Sequence, residues 1–189
     1  RLLSYLVIAG AGDKNYEKTL LEKLKTEETK GNLIWCGMAL MYLQTSHTTS
    51  LFDFLIENEN FGDSHMIPMY FQLNKDSLQN TAYNRINNTN LKAKVLSAQL
   101  LSKTGKNEKT EKLLLDAVKN WDYNIKGYAI YSVKELEMGN LKEAFIPLLD
   151  STKTRPIAIE ALANSPTKED MDYLKQLSSS EKVVSKDIL

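Results

Sequence analysis

The sequence predicts an all-α protein, an α-α superhelix (solenoid) of about five stacked helix pairs with partial helices at the ends. Three observations predict it. The stretch from Asn107 to Asn164 states one plan twice. An apolar helix (Leu113, Leu114, Leu115, Val118) runs into an acidic turn at Asp122, and Ile125-Lys126 opens a second helix with Ala129, Ile130 and Val133. The plan returns as Phe145, Ile146, Leu148 and Leu149, then Asp150, then Thr154-Arg155, then Ala158, Ile159, Ala161 and Leu162. Secondly, no window sustains the two-residue alternation of a half-buried strand between hairpin signals. Thirdly, the longest apolar run, LIWCGMALMYL from Leu33 to Leu43, has core-helix length and is too short for a membrane span. A helix apolar on nearly all sides suits the interior of a repeat array, where neighbours cover both flanks.

In chain order, Arg1 to Ala9 reads as a helix closed at Gly10, with Gly12 and Asp13 in the turn after it. VIAGAGDKN can also be read as a strand and a glycine loop for a dinucleotide, but the third glycine of that motif is replaced by Asn15. The first pair has an amphipathic helix from Asn15 to Lys25, with Tyr16, Leu20, Leu21 and Leu24 at helical spacing, and the apolar helix from Leu33. The second pair is Thr48 to Asn58 and, after ENFGDS, a helix from Ser64 carrying Met66, Ile67, Met69, Tyr70, Phe71 and Leu73. Pro68 falls in its first turn, where a missing N–H costs little. Asp76 opens the third pair, whose second helix runs from Leu91 through Val95, Leu96, Ala98, Leu100 and Leu101. Gly105 closes that helix and Gly139 the later one, each tolerating a left-handed cap. After the two pairs of the duplicated stretch, Ser165-Pro166 opens a helix over Asp170 to Leu177 with an apolar stripe of Met171, Leu174 and Leu177. Second helices thus start near Leu33, Ser64, Leu91, Ile125 and Arg155, a step of about 30 residues.

Composition bounds the function. Lys plus Arg and Asp plus Glu number 24 each, so the net charge is zero and nothing steers the whole molecule toward nucleic acid or an anionic membrane. The hydrophobic share of 42% and charged share of 25% are those of an ordered globular chain. Cys36 is the only cysteine, which excludes an internal disulfide or a thiolate zinc cluster; among Ile34, Trp35, Met38 and Leu40 it is expected to be a buried thiol. The chain begins at Arg1 inside an apolar run, so residues 1–189 are expected to be a segment of a longer protein. The compartment stays open, since a signal or domain upstream of Arg1 lies outside the sequence.

DSTKTRPIAIEALAN carries a family resemblance. Asp150 after a first helix, Arg155, then Ala158, Ile159, Ala161 and Leu162, with Pro147 in the preceding helix, resembles the HEAT-like repeats of α-solenoids. Asp122, Lys126, Ala129, Ile130 and Val133 echo it, and Leu91-Lys92 with Val95 and Leu96 do so more faintly. The match covers residues 107–177; in the first pair Ile34 replaces the basic residue, and the second pair lacks the pattern. Tetratricopeptide repeats are the rival. Gly105 and Gly139 stand at that family's spacing of about 34 residues, but the spacing continues in neither direction and only Tyr128 fills the early aromatic position. The resemblance implies one HEAT-like repeat domain over residues 1–189.

In HEAT-like solenoids the second helices line the concave face. The resemblance therefore makes Lys92, Gln99, Lys126, Tyr131, Lys134 and Arg155 candidates to meet a partner, a mildly basic ridge with one aromatic suited to an acidic peptide or protein surface. A structural role competes at Lys126 and Arg155, each placed to pair with the acidic turn residue of its repeat, Asp122 or Asp150. Trp35, Trp121 and most tyrosines are expected in the core, with Tyr131 the exception.

No catalytic constellation is assigned. His47 and His65, near Asp53 and Asp63, lack the one-turn pairing of a zinc helix and are expected to be exposed turn residues. Glu22, Glu27, Glu28, Glu135 and Glu137 sit in charge-mixed stretches that read as solvated faces. No cofactor or metal is expected. Asn87-Asn88-Thr89 is a glycosylation sequon, meaningful only in an exported eukaryotic chain. The expected function is a non-enzymatic repeat scaffold binding a protein or peptide along its concave helices. The alternatives are an accessory helical-repeat domain of a larger enzyme, positioning substrate or bracing the catalytic domain, and a HEAT-like nucleic-acid enzyme, against which the zero net charge counts. Neither a nucleic-acid partner nor a membrane span is expected, and the oligomeric state stays open.

Overall fold

The computed structural model describes residues 4, 7, 9–58, 65–136, 145–152, 154–163 and 168–178. All regular elements among them are helical, as expected. They are α1 (Glu17–Thr26), α2 (Lys30–Tyr42), α3 (Thr48–Asn58), α4 (Ile67–Tyr70), α5 (Lys75–Arg85), α6 (Leu91–Thr104), α7 (Glu108–Asn120), α8 (Tyr123–Glu135), α9 (Arg155–Ala163) and α10 (Lys168–Ser178), with 3-10 turns at Lys14–Tyr16 and Ile146–Leu148. The chain divides into two compact units, Arg1–Leu100 and Leu101–Leu189.

In the first unit, packing follows the order of a repeat array. α1 lies on α2, the first helices α3 and α5 pack on each other, and the second helices α2 and α4 do the same. Leu20 is buried from α1, and α2 buries Cys36, Gly37, Ala39, Leu40 and Met41 around its circumference. Gly37 permits the closest approach. A Cβ there would lie 2.5 Å from Cε1 of Phe54 on α3, nearer than side chains tolerate, so only glycine lets α3 seat its ring against α2. Trp35 is only half-buried, short of its expected core position.

A cluster of hydroxyls, buried at Thr48, Tyr70 and Thr81 and exposed at Thr49, ties α3, α4 and α5 together. Tyr70 Oη donates to the Thr48 carbonyl at 2.8 Å, Thr48 Oγ1 lies 3.0 Å from Thr81 Oγ1 and donates to the Ser77 carbonyl, and Thr49 Oγ1 lies 3.1 Å from Thr81 Oγ1. Each polar atom removed from water thereby gains a partner, which is the condition for burying it without a large desolvation loss.

Caps set the helix boundaries. Asn74 accepts from Ser77 N at the start of α5, Asn90 from Lys92 N at α6, Asn107 from Thr110 N at α7, and Asp122 from Asn124 N at α8. α6 and α9 begin at Leu91 and Arg155 as the sequence predicts, whereas α2 begins at Lys30, three residues before Leu33. Gly105 takes φ +110° after α6, the left-handed cap expected of it; Gly139 lies outside the described residues. The second helix expected from Ser64 is shorter than predicted. α4 is one turn, and Phe71–Leu73 form a turn instead of continuing it. Gly12 adopts φ +67° between helical residues and the Lys14–Tyr16 turn; no strand precedes it among the described residues, contrary to the dinucleotide-loop alternative.

In the second unit α7 packs on α8, the second helices α8 and α9 pack side by side, and α9 also meets the Ile146–Leu148 turn and α10. Leu114, Ala117 and Val118 of α7, Ile125, Ala129, Ile130 and Val133 of α8, and Ala158, Ile159 and Leu162 of α9 fill its core with Trp121 and Phe145. Leu174 of α10 joins them, but Met171 stays exposed, so the stripe predicted for that helix is narrower; Leu177 carries no described side chain.

Candidate partner-binding surface

The surface follows from how the second helices are fixed. α8 buries Ala129, Ile130 and Val133 completely on one side. Three- and four-residue steps along its opposite side bring up Asn124, Tyr128, Tyr131 and Glu135, all exposed. Tyr128 and Tyr131 are each 43% exposed, one turn apart. Lys134 Nζ stands 5.5 Å from the centre of the Tyr131 ring, within range of a cation–π contact, and holds a positive charge beside the aromatic face.

Glu135 marks the junction of α6 with α8. It accepts from Ser102 Oγ at 2.5 Å and from Lys103 Nζ at 2.9 Å. Partial burial pushes its carboxyl toward a higher pKa. The hydrogen bonds from Ser102 and Lys103 and the charges of Lys103 and Lys134 outweigh that and hold it below the ordinary carboxylate value. Glu135 is therefore engaged in joining two second helices, more than the solvated-face reading allowed.

The six residues predicted from the sequence separate into groups. Lys92 and Gln99 belong to the first unit, Lys92 exposed in the first turn of α6 and Gln99 half-buried two turns on. Tyr131 and Lys134 are brought together in the second unit. Lys126 and Arg155 close the ends of the preceding segments. Lys126 Nζ donates to the Lys119 carbonyl in the last turn of α7 at 3.2 Å, and Arg155 Nε donates to the Leu149 carbonyl at 2.7 Å. At Lys126 the cation stands at a helix C-terminus, where it satisfies a carbonyl left without an intrahelical donor and meets the negative end of the helix dipole; at Arg155 the acceptor lies in the turn after Ile146–Leu148. Both side chains thus hold backbone carbonyls of the preceding segment, in bonds other than the pairing with Asp122 or Asp150 that the sequence suggests. Thr154 Oγ1 adds a bond to the Leu148 carbonyl at 2.7 Å.

Tyr128 was not among the predicted residues. It had a sequence signal, the three-residue step to Tyr131, hidden by the expectation that tyrosines are core residues. Tyr70 meets that expectation, while Tyr16, Tyr42 and Tyr128 are exposed.

Elsewhere the titratable groups serve the fold. Cys36 is fully buried, and burial, helped by the Glu27 charge and opposed by Lys23, pushes its thiol up to about 11. Asp53 pairs with Arg85 at 2.7 Å, and His47 and His65 are exposed. Asp63 lies outside the described residues. Among the described residues no group of three or more His, Cys, Asp or Glu side chains is placed to hold a metal ion, and no helix is long and apolar enough to cross a membrane. A groove of about 340 Å³ between α1 and α3 is lined by Leu24, Lys25, Ser50, Asp53, Phe54 and Glu57. No protein-family model matches the chain, and no curated protein or solved structure matches it either.

Proposed function

We propose that this chain is a HEAT-like repeat scaffold that binds a protein or peptide along its second helices. The observation that carries the reading is the outward face of α8, where two tyrosine rings remain exposed on a helix whose other side is fully buried. A solvent-facing aromatic pair offers a large, rigid contact area at small loss of side-chain entropy, the property that makes tyrosine frequent at recognition surfaces. Side-by-side packing of α8 and α9 places two second helices next to each other, as in a repeat scaffold. The recurrence of a basic residue that opens the second helix and caps the preceding segment, Lys126 and then Arg155, supports the HEAT-like assignment.

The test is capture of a partner from the native host, reconstitution of the complex from purified components, and amide hydrogen exchange of the chain with and without it. Protection on α8 and α9 is expected. Protection confined to the first helices α3, α5 and α7 would refute the binding face, and catalytic turnover by the isolated chain would refute the scaffold reading.

A further inference from the structure

Positive charge in the second unit is concentrated on the second-helix segments, although the chain as a whole is neutral. The second-helix segments 101–106, 123–135 and 155–163 carry the cations Lys103, Lys106, Lys126, Lys134 and Arg155 against the carboxylates Glu135 and Glu160. The other helices of the unit are near balance: α7 carries Glu108, Glu111 and Asp116 against Lys109, Lys112 and Lys119, and α10 carries Glu169, Asp170 and Asp172 against Lys168 and Lys175. Glu135, one of the two second-helix carboxylates, is already matched by Lys103. The aromatic pair of α8 therefore sits in a locally positive field, and Lys134 is held against one of its rings.

Resting on the scaffold reading, we infer that the Tyr128–Tyr131–Lys134 face of α8 is the recognition centre and that its ligand is an acidic peptide segment with an apolar or aromatic side chain beside its carboxylates. Each part of that ligand has a counterpart. The apolar side chain lies on the tyrosine rings, where burial of ring surface supplies most of the affinity. A neighbouring carboxylate meets Lys134, whose ammonium is partly oriented by the ring and so loses less freedom on pairing. Lys106, exposed beyond the C-terminal end of α6, adds to the positive field that favours acidic over basic segments. Lys126 and Arg155 are left out of the recognition centre, since their side chains are bound to backbone carbonyls.

The probe is a phage-displayed library of random linear peptides selected on the immobilised chain, with affinities then measured on synthesised peptides by fluorescence anisotropy. Selected peptides should be rich in Asp and Glu next to an apolar or aromatic residue, and should bind more weakly as salt is raised. The triple variant Tyr128→Ser, Tyr131→Ser, Lys134→Glu should lose about tenfold or more of that affinity. The single variant Tyr128→Ser should lose part of it. The charge-matched control Lys112→Glu on α7 should retain it, and circular dichroism should show all variants folded. Selected peptides without acidic enrichment, or binding that survives the triple variant or fails in the α7 control, would overturn this assignment and leave the scaffold reading standing. A library that yields no binder would overturn both.

Discussion

Replacing Gly37 with alanine sets two effects of known sign against each other. Alanine is the better helix former by about 1 kcal/mol at an interior position. The new methyl would lie 2.5, 3.0 and 3.2 Å from Cε1, Cζ and Cδ1 of Phe54, where carbon atoms prefer about 3.5 to 4 Å. Phe54 is 4% exposed and its ring is rigid, so it cannot swing into solvent, and α2 and α3 must separate. Overpacking of this kind costs about 1 to 3 kcal/mol, and a contact this short belongs in the upper half of that range. The net expectation is a loss of about 1 to 2 kcal/mol. Urea unfolding followed by Trp35 fluorescence in a Trp121→Phe background isolates the first unit, because the chain has only these two tryptophans. Gly31→Ala, on the same helix with nothing near its Cβ, is the reference and should stabilise by no more than about 1 kcal/mol. Phe54→Leu in the same cycle should reduce the penalty of Gly37→Ala. If Gly37→Ala raises the midpoint as Gly31→Ala does, the close approach of α2 and α3 is wrong.

Tyr70→Phe keeps the ring and removes its bond to the Thr48 carbonyl, so it should destabilise by about 1 kcal/mol in urea unfolding; an unchanged midpoint would show that the hydroxyl is not engaged. Thr81→Val deletes the hydroxyl shared by Thr48 and Thr49 and should cost about 1 to 2 kcal/mol, measured the same way. Glu135 titrates below its ordinary range in the folded chain, so its stabilising effect is present above the unfolded carboxylate pKa and is lost as pH falls through the folded value. Because its side chain is 45% exposed, solvent screening keeps the effect at about 0.5 kcal/mol or less, and the urea midpoints of the parent and Glu135→Gln should differ at neutral pH and converge once acid has protonated the folded carboxyl. Lys126→Met retains the apolar stem but not the donor to Lys119, and should lower the stability read by Trp121 fluorescence by about 0.5 kcal/mol.

The sequence made the helices legible wherever a local signal ends them. Leu91 follows the Asn88–Asn90 turn and Arg155 follows a second acidic turn, and both open helices at the predicted residue. α2 starts earlier than its apolar run because backbone helix formation does not wait for the first core side chain. α4 stops short because its fate is settled by tertiary packing of Tyr70 and Leu73, which local propensity does not encode. Ile146–Leu148 is a 3-10 turn where an apolar run with Pro147 looked like part of a helix. At the candidate surface, Tyr131 was legible because it lies off the apolar stripe of α8. Tyr128 lies off it too, one turn before Tyr131. The bonds of Lys126 and Arg155 to carbonyls six or seven residues back depend on the path of the intervening turn, which no periodicity describes. The contact of Gly37 with Phe54 joins two helices and has no sequence signature beyond the glycine itself.

Nearest-neighbour packing also bears on how the chain reaches its fold. Within each unit, the packed helix pairs among the described residues join a helix to the next along or to the equivalent helix one repeat away. Such contacts close short loops, so the entropy lost before the first favourable contact is small. Low contact order of this kind goes with folding in about microseconds to milliseconds, and a nucleus can form at more than one helix pair and grow outward. Substitutions should then change the folding rate only when the contact they alter belongs to the dominant nucleus, and at the α2–α3 contact of Gly37, which joins two successive pairs, rate and stability can be compared directly.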